Sequence, residues 1–274
     1  GWMTPMPERH EQRRIVEILE DHLSHLDAAY RGVASVSGRL RALRRSLAEQ
    51  AVQSRPGLEA VPIAEATSGD RSDIVIGPFG SNLTRSDYRT SGTPLVFVRH
   101  VRSGEFGDTH YVDAGKAREL SAHQVVDGDI LMTKMGDPPG DTSVYYGPTA
   151  IITADVLRLR PSARHDPQFV ALALAGRHAH QQILSITSGV AQKKVSLARF
   201  RSSVSVHLPP LPEQRERVTR FREQTEPLER QESMLAAAHQ KIAALRRGVL
   251  TAAFEGNLTG RHTDVDVIEE LAEA

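Results

Sequence analysis

The sequence predicts an α+β protein: one mixed α/β domain carried at the tip of a long antiparallel two-helix coiled coil. Three observations predict it. First, the ends of the chain share a gapless repeat. Glu11-Gln12-Arg13 returns as Glu213-Gln214-Arg215, and Ala42-Leu43-Arg44-Arg45 returns as Ala244-Leu245-Arg246-Arg247, each 202 positions later. Second, apolar residues in both repeated segments step by three and four, the heptad spacing of a narrow helix–helix seam. Third, the block between them is unlike either end: short β-branched and aromatic runs alternate with turn formers.

The first helix is expected over 7–55. Its apolar positions run Val16, Leu19, Leu23, Leu26, Tyr30, Val33, Leu40, Leu43 and Leu47, with one gap at Ser37. The second is expected over 207–256, with Val218, Phe221, Leu228, Leu235, Ile242, Leu245 and Val249 apolar and with polar interruptions at Thr225, Glu232 and His239. Pro7 precedes one helix and Leu208-Pro209-Pro210-Leu211-Pro212 the other, suiting a first turn where a missing N–H costs nothing. Pro56-Gly57 and Gly256-Asn257 supply the stops, leaving 257–274 as a tail. Pro227 is expected to kink the second helix near Glu223–Glu226 or to mark a second start. At 1.5 Å per residue, about 40 residues span roughly 60 Å. Helices whose inner ends join the same block lie side by side only as an antiparallel hairpin.

The central domain is expected over 58–206. Strand-like runs are Ile74-Val75-Ile76, Leu95-Val96-Phe97-Val98, Asp129-Ile130-Leu131-Met132, Ala150-Ile151-Ile152-Thr153 and Val156-Leu157-Arg158-Leu159. Gly77-Pro78, Ser91-Gly92, Asp127-Gly128, Pro138-Pro139-Gly140 and Gly147-Pro148 separate them. One helix is expected over Pro167–Ile186. About 150 residues suffice for an independent core.

Composition excludes several classes. Thirty-four basic residues balance 34 acidic ones, so any polyanion partner must be met by a local cluster of charge rather than a global field. The absence of cysteine excludes disulfides and thiolate metal sites and fits a cytoplasmic setting. No apolar run approaches the roughly 20 residues of a membrane span, and no signal peptide is expected. Gly1-Trp2 ahead of Met3 reads as a cloning remnant, and the N-x-[ST] matches at Asn82 and Asn257 as noise. No phosphate-binding or dinucleotide-binding glycine motif is present. Asp137-Pro138-Pro139-Gly140 resembles the Asp-Pro-Pro-aromatic motif of DNA amino-methyltransferases, but Gly140 stands where the aromatic would stack on a flipped base. No acidic pair followed by Glu-x-Lys marks a nuclease. His22 and His25, one turn apart, read as surface residues rather than metal ligands.

The order of several segments resembles the specificity subunit of type I restriction-modification systems. Leu208 to Arg215 resembles that family's lead-in to a conserved helix, and Gly77-Pro78-Phe79-Gly80-Ser81-Asn82-Leu83 an early loop of its target recognition domain. Asp87-Tyr88, Gly92-Thr93-Pro94, Asp127-Gly128-Asp129-Ile130-Leu131 and Ser188-Gly189-Val190-Ala191-Gln192 with Leu197 follow in the expected order. The family usually alternates two recognition domains with two conserved helical regions. This chain has both helical regions and one recognition domain, so it resembles a half-length subunit, natural or a fragment.

The resemblance implies a non-catalytic, DNA-reading chain. Double-stranded DNA would be its ligand, and a methyltransferase subunit and a restriction subunit its protein partners. S-adenosylmethionine, ATP and Mg would bind those partners and not this chain. A homodimer, or a second half-specificity chain, would supply the missing recognition domain. Arginine suits guanine, Asn or Gln suits adenine, and lysine suits phosphate. The candidate DNA-binding residues are therefore Ser81, Asn82 and Arg85 in a first loop, Lys134 in a second, Gln192, Lys193 and Lys194 in a third, and Arg99 after a strand. His100, Arg199 and Arg201 are neighbours of these sets. Arg44, Arg45, Arg246 and Arg247 are the candidate partner-docking residues, because an arginine pair recurs at the same position of the repeat. The bland alternatives are solvated lysines, a salt-bridged Arg99, and a tight Gly77–Gly80 turn around a buried Phe79. The rival from another class is a coiled-coil adaptor whose central domain binds protein.

Overall fold

The computed structural model of the protein describes residues 8–188, 193–255 and 258. In chain order the elements are α1 (Arg9–Ala51), β1 (Ala60–Pro62), β2 (Ile74–Ile76), β3 (Thr93–Val96), α2 (Val98–Ser103), β4 (Tyr111–Val112), α3 (Ala114–Glu119), β5 (Gln124–Val125), β6 (Ile130–Thr133) and β7 (Thr142–Val144). They continue as β8 (Ala150–Ile152), β9 (Val156–Leu159), α4 (Pro167–Ala175), α5 (Arg177–Ser185), β10 (Thr187–Ser188), β11 (Lys194–Val195), α6 (Leu197–Ser203), β12 (Ser205–His207) and α7 (Leu211–Phe254). The fold is mixed α/β with two long helices. The chain divides into two compact units, one of residues 47–223 and one of residues 1–46 with 224–274.

In the larger unit, β2-β9-β6-β7 form an antiparallel sheet and β4-β3-β8-β5 a mixed one, in which β3 and β8 run parallel. Strand β6 is buried on both faces. Ile130 and Met132 point into one core with Phe169, Leu174 and Phe200, while Leu131 points into a second core with Val96, Ile152 and Val156. Burial on both faces is why this strand reads as an unbroken apolar run instead of an alternating one. A third core packs Ala117 and Leu120 against Leu95 and Ile151 on the other face of the mixed sheet. Strands β1 and β12 pair from Ala60↔His207 to Pro62↔Ser205 and draw the two ends of the domain together.

The Asp127-Gly128-Asp129 turn is explained by charge. Asp129 is 1% exposed, and both its carboxylate oxygens accept from Arg160 at 2.8 Å. That hydrogen-bonded carboxylate raises the Arg160 pKa.

Two expected elements differ. The run 95–98 does not continue as a strand: β3 ends at Val96 and α2 starts at Val98. His100 drives the change, because its Nδ1 accepts the Phe97 N–H at 3.1 Å and so caps the new helix. The single helix expected over Pro167–Ile186 is two, broken at Gly176, which has an extended backbone with φ −62° and ψ 151°. A Cβ at Gly176 would lie 3.0 Å from the Val52 side chain, so the break is also a close approach.

The smaller unit is an antiparallel pair made by α1 and α7. Asp27 meets Arg246 at 2.5 Å, Tyr30 meets His239 with ring centroids 5.0 Å apart, and Arg44 meets Glu229 at 3.1 Å and Glu232 at 3.3 Å. A shift of 202 positions carries Arg44 to Arg246 and Asp27 to Glu229, so the repeat maps one ion pair onto the other. These contacts have the pattern of a pseudo-two-fold pair. Exposed ion pairs contribute only about 0–1 kcal/mol each, so they set register more than strength. Two of the polar interruptions in the second seam are accounted for, Glu232 by Arg44 and His239 by Tyr30. The seam differs from expectation at Val16, Tyr30 and Leu43, which are 49%, 53% and 47% exposed, while Ile15 beside Val16 is half-buried. The gap at Ser37 is half-buried, with its hydroxyl donating to Val33 O. α7 runs without a second start through Pro227. No described helix is long and apolar enough to cross a membrane.

Candidate nucleic-acid interface

The second and third candidate loops meet in space. Lys134 leaves β6, its N–H donates to Asp155 O at 2.8 Å, and its carbonyl accepts from Val195 N–H at 3.0 Å. Met135 forms a β-bridge with Lys194, and Lys193 Nζ sits 3.0 Å from Asp137 Oδ1. Lys134 is half-buried, and Lys193 and Lys194 are exposed. Among the described residues neither Lys134 nor Lys194 forms an ion pair. Gln192 lies outside the described residues, as do Gly189, Val190 and Ala191 of the same segment.

A sequence reading passes over Arg102, which joins this cluster. Its Nε donates to Asp141 Oδ2 at 3.0 Å, and a Cβ on Gly136 would lie 2.6 Å from its Nη2. Reading 95–98 as strand hides the signal. Once α2 is a helix, Arg102 falls one turn beyond Arg99. The turn that carries Asp141 is rigidly tied. Thr133, fully buried, accepts at its hydroxyl from Gly140 N–H at 3.0 Å and Asp141 N–H at 2.9 Å.

The first loop leaves the domain at Gly77, where a Cβ would strike Thr153 O at 2.0 Å; only glycine permits that approach. Pro78 is buried but Phe79 is 75% exposed, so the turn is not built around a buried Phe. Ser81, Asn82 and Arg85 are exposed, and Arg85 opens a short 3-10 turn capped by Thr84 and Asp87. The fold does not hold this loop against the lysine cluster by any described hydrogen bond or ion pair. Arg99 lies over the Phe97 ring at 4.7 Å and donates to Asp108 O at 3.1 Å. His100 is 4% exposed, and its Nε2 lies 2.9 Å from Asp108 O; burial lowers its pKa. With both ring nitrogens engaged inside the protein, His100 is structural. Arg201 donates to Arg71 O at 2.6 Å and to Ile74 O, which is also structural, while Arg199 is exposed.

A cleft of about 550 Å³ lined by Phe106, Tyr111, Tyr145 and Tyr146 opens at the end of β7. Because β6 and β7 pair antiparallel, with Ile130 opposite Val144, that cleft is at the other end of these strands from Lys134. Among the described residues no three His, Asp or Glu side chains converge to hold a metal.

The docking arginines divide into two kinds. Arg44 and Arg246 are spent on the helix pair, whereas Arg45 and Arg247 are exposed and form no ion pair among the described residues.

The Gln of the repeated motif is not at a surface. Gln214 is fully buried, accepts the Asp166 N–H at 2.9 Å, donates to Pro209 O at 2.7 Å, and lies 3.0 Å from His165 Nδ1. Glu213 holds Arg217 at 2.7 Å and Arg55 at 3.3 Å. Arg217 in turn donates to Ala51 O and Gln53 O, satisfying carbonyls at the end of α1.

No family model matches the chain. It is 22% identical over 272 residues to the type I restriction enzyme EcoKI specificity subunit of Escherichia coli strain K12, covering 94% of this chain and 58% of that one. Three solved structures have similar folds. One comes from a study of complex assembly and conformational transition of the type I R-M system, with TM-score 0.65, 20% identity, and 92% and 61% of the two chains covered. The HsdS subunit from Thermoanaerobacter tengcongensis matches with TM-score 0.51, 21% identity, and coverage of 92% and 60%. The type I restriction-modification S subunit from M. genitalium matches with TM-score 0.52, 14% identity, and coverage of 90% and 61%. The chain thus resembles type I specificity subunits in order and fold, and it spans about 60% of their length.

Proposed function

We propose that this chain is a non-catalytic DNA-specificity protein of a type I restriction-modification complex. The observation that carries the reading is the meeting of Lys134, Lys193 and Lys194, from segments far apart in sequence, where Met135 bridges to Lys194 and Val195 N–H donates to Lys134 O. A local cluster of this kind offers phosphate contacts in a chain of zero net charge. The likeness to specificity subunits supports the same reading. The domain of residues 47–223 reads one part of a bipartite site. The helix pair receives a methyltransferase subunit and, through it, a restriction subunit. S-adenosylmethionine, ATP and Mg are held by those partners. The chain works in the cytoplasm, where such a complex meets DNA. A second recognition domain reads the rest of the site, and a second copy of this chain can supply it.

Replacing Lys134, Lys193 and Lys194 together with Ala should weaken binding to all sequences alike. It should also reduce the slope of log affinity against log salt by about 2–3, since each phosphate left without its lysine accounts for roughly 0.9 of that slope. Gel-shift titrations of the full chain with its methyltransferase subunit, from about 50 to 200 mM salt, measure this. Unchanged slope and affinity would remove the cluster from the interface. No salt-dependent shift with the wild-type complex would favour an adaptor whose central domain binds protein.

Self-association has its own measurement. Two copies related by a two-fold axis carry identical readers, and so demand an inverted-repeat target. Light scattering should give a dimer at micromolar concentration, and methylated sites in cells carrying no other specificity chain should be symmetric. A monomer combined with an asymmetric motif rules the homodimer out.

A further inference from the structure

We infer that Arg102, held by Asp141, reads a guanine edge in the target duplex; this rests on the DNA-reading function proposed above. The guanidinium is gripped on one side only. Its Nε donates to Asp141 Oδ2 at 3.0 Å, while its two terminal nitrogens have no hydrogen-bond partner among the described residues. A guanidinium carries five N–H donors in a fixed plane. Fixing the Nε side with a carboxylate leaves the terminal fork without a partner, with Nη2 beside Gly136, and a free fork is the shape that pairs with guanine O6 and N7 in the major groove.

Three further features favour presentation over a mere surface ion pair. Asp141 stands on a turn whose N–H is bound by the fully buried Thr133 hydroxyl at 2.9 Å, so the backbone that carries the carboxylate is anchored. Gly136 lies against the guanidinium: a Cβ there would sit 2.6 Å from Nη2 and 2.9 Å from Pro138 O, so a side chain would crowd the fork. Gly136 also directly follows Met135, which bridges to Lys194. A duplex whose phosphates meet these lysines therefore passes beside Arg102. Arg99, one turn earlier on α2, does not share this geometry, since its Nη2 donates to Asp108 O and its plane covers the Phe97 ring. The side chain of Arg102 is 48% exposed, which leaves the fork accessible.

The test is selection from a random duplex library by the full chain bound to its methyltransferase subunit. Wild type, Arg102→Ala, Arg102→Lys and Asp141→Ala are compared, with melting curves for each. Arg102→Ala should lose discrimination at one G·C pair by about 5- to 150-fold and keep the rest of the motif. Arg102→Lys should lose the same discrimination, because it retains the charge without the fork, and it should keep the wild-type salt slope. Asp141→Ala should relax that same base pair without a change in melting temperature, which a purely structural role would not do. An unchanged motif with Arg102→Ala and Arg102→Lys overturns the inference. So does a uniform loss of affinity with the motif intact, since that makes Arg102 a phosphate contact. If wild type enriches no motif at all, the DNA-reading function fails and this inference falls with it; an enriched wild-type motif separates the two failures.

Discussion

Gln214→Ala should destabilise the domain of residues 47–223 by about 2–4 kcal/mol, the largest effect expected of any single polar substitution here. The side chain is fully buried and satisfies Asp166 N–H and Pro209 C=O. Truncation strands both groups away from water, at about 1–3 kcal/mol each. Asp166 also caps α4 by accepting the Phe169 N–H at 3.0 Å, so the loss loosens the start of a helix that supplies Phe169 and Leu174 to the core. For a domain of this size the melting temperature should fall by about 5–15 °C. Gln214→Glu provides an internal check. Its carboxylate still accepts from Asp166 N–H but turns an oxygen toward Pro209 O, so it should be destabilised at neutral pH and partly restored in acid, where the protonated group donates again. A Gln214→Ala melting curve within about 0.5 kcal/mol of wild type, a limit set by ordinary surface substitutions, would show that the motif acts elsewhere.

The same residue shows how far the sequence can be read. The repeat announces Glu213-Gln214-Arg215 as special and places it correctly at the start of a long helix. It does not reveal that Gln214 is an internal joint, because the Asp166 N–H that donates to it lies 48 positions away and only the folded chain brings the two together. Helices are legible because their period is local. Strand β6 is legible because burial on both faces leaves the apolar run Ile130-Leu131-Met132, and β9 because Val156, Leu157 and Leu159 surround its single charge, the buried Arg158. The helix at Val98 is not, because its first residue completes the strand-like run Leu95-Val96-Phe97-Val98 and the cap comes from His100, three residues after Phe97. Gly176 is passed over because helix formers flank it on both sides, the apolar run of α4 before it and the polar start of α5 after it. At the candidate interface, Lys134, Lys193 and Lys194 can each be picked out as basic loop residues. Their convergence depends on the pairing of Met135 with Lys194, a long-range register that no local pattern encodes. Arg102 escapes notice because its partner Asp141 is 39 positions away.

On the proposed function, charge reversal at Arg45 and Arg247 should abolish co-purification with a methyltransferase subunit while leaving melting unchanged. Both are exposed and form no ion pair among the described residues, and the 202-residue repeat relates one to the other. Their neighbours Arg44 and Arg246 are committed to Glu229, Glu232 and Asp27. Arg44→Glu with Arg246→Glu should therefore act differently, setting like charges against those three acids and loosening the helix pair by roughly 1–2 kcal/mol. Reversing a charge that faces a complementary patch costs several kcal/mol, and about 1.4 kcal/mol is tenfold in affinity, so the exposed pair should weaken docking by at least about 100-fold. The pseudo-two-fold relation sharpens the expectation. Equivalent arginines at equivalent positions offer two equivalent patches, so Arg45→Glu alone and Arg247→Glu alone should each remove one bound methyltransferase subunit and leave the other. Native mass spectrometry of the purified complexes reads that stoichiometry directly. Full occupancy in both single variants, with co-purification intact in the double, would move the docking surface away from these residues.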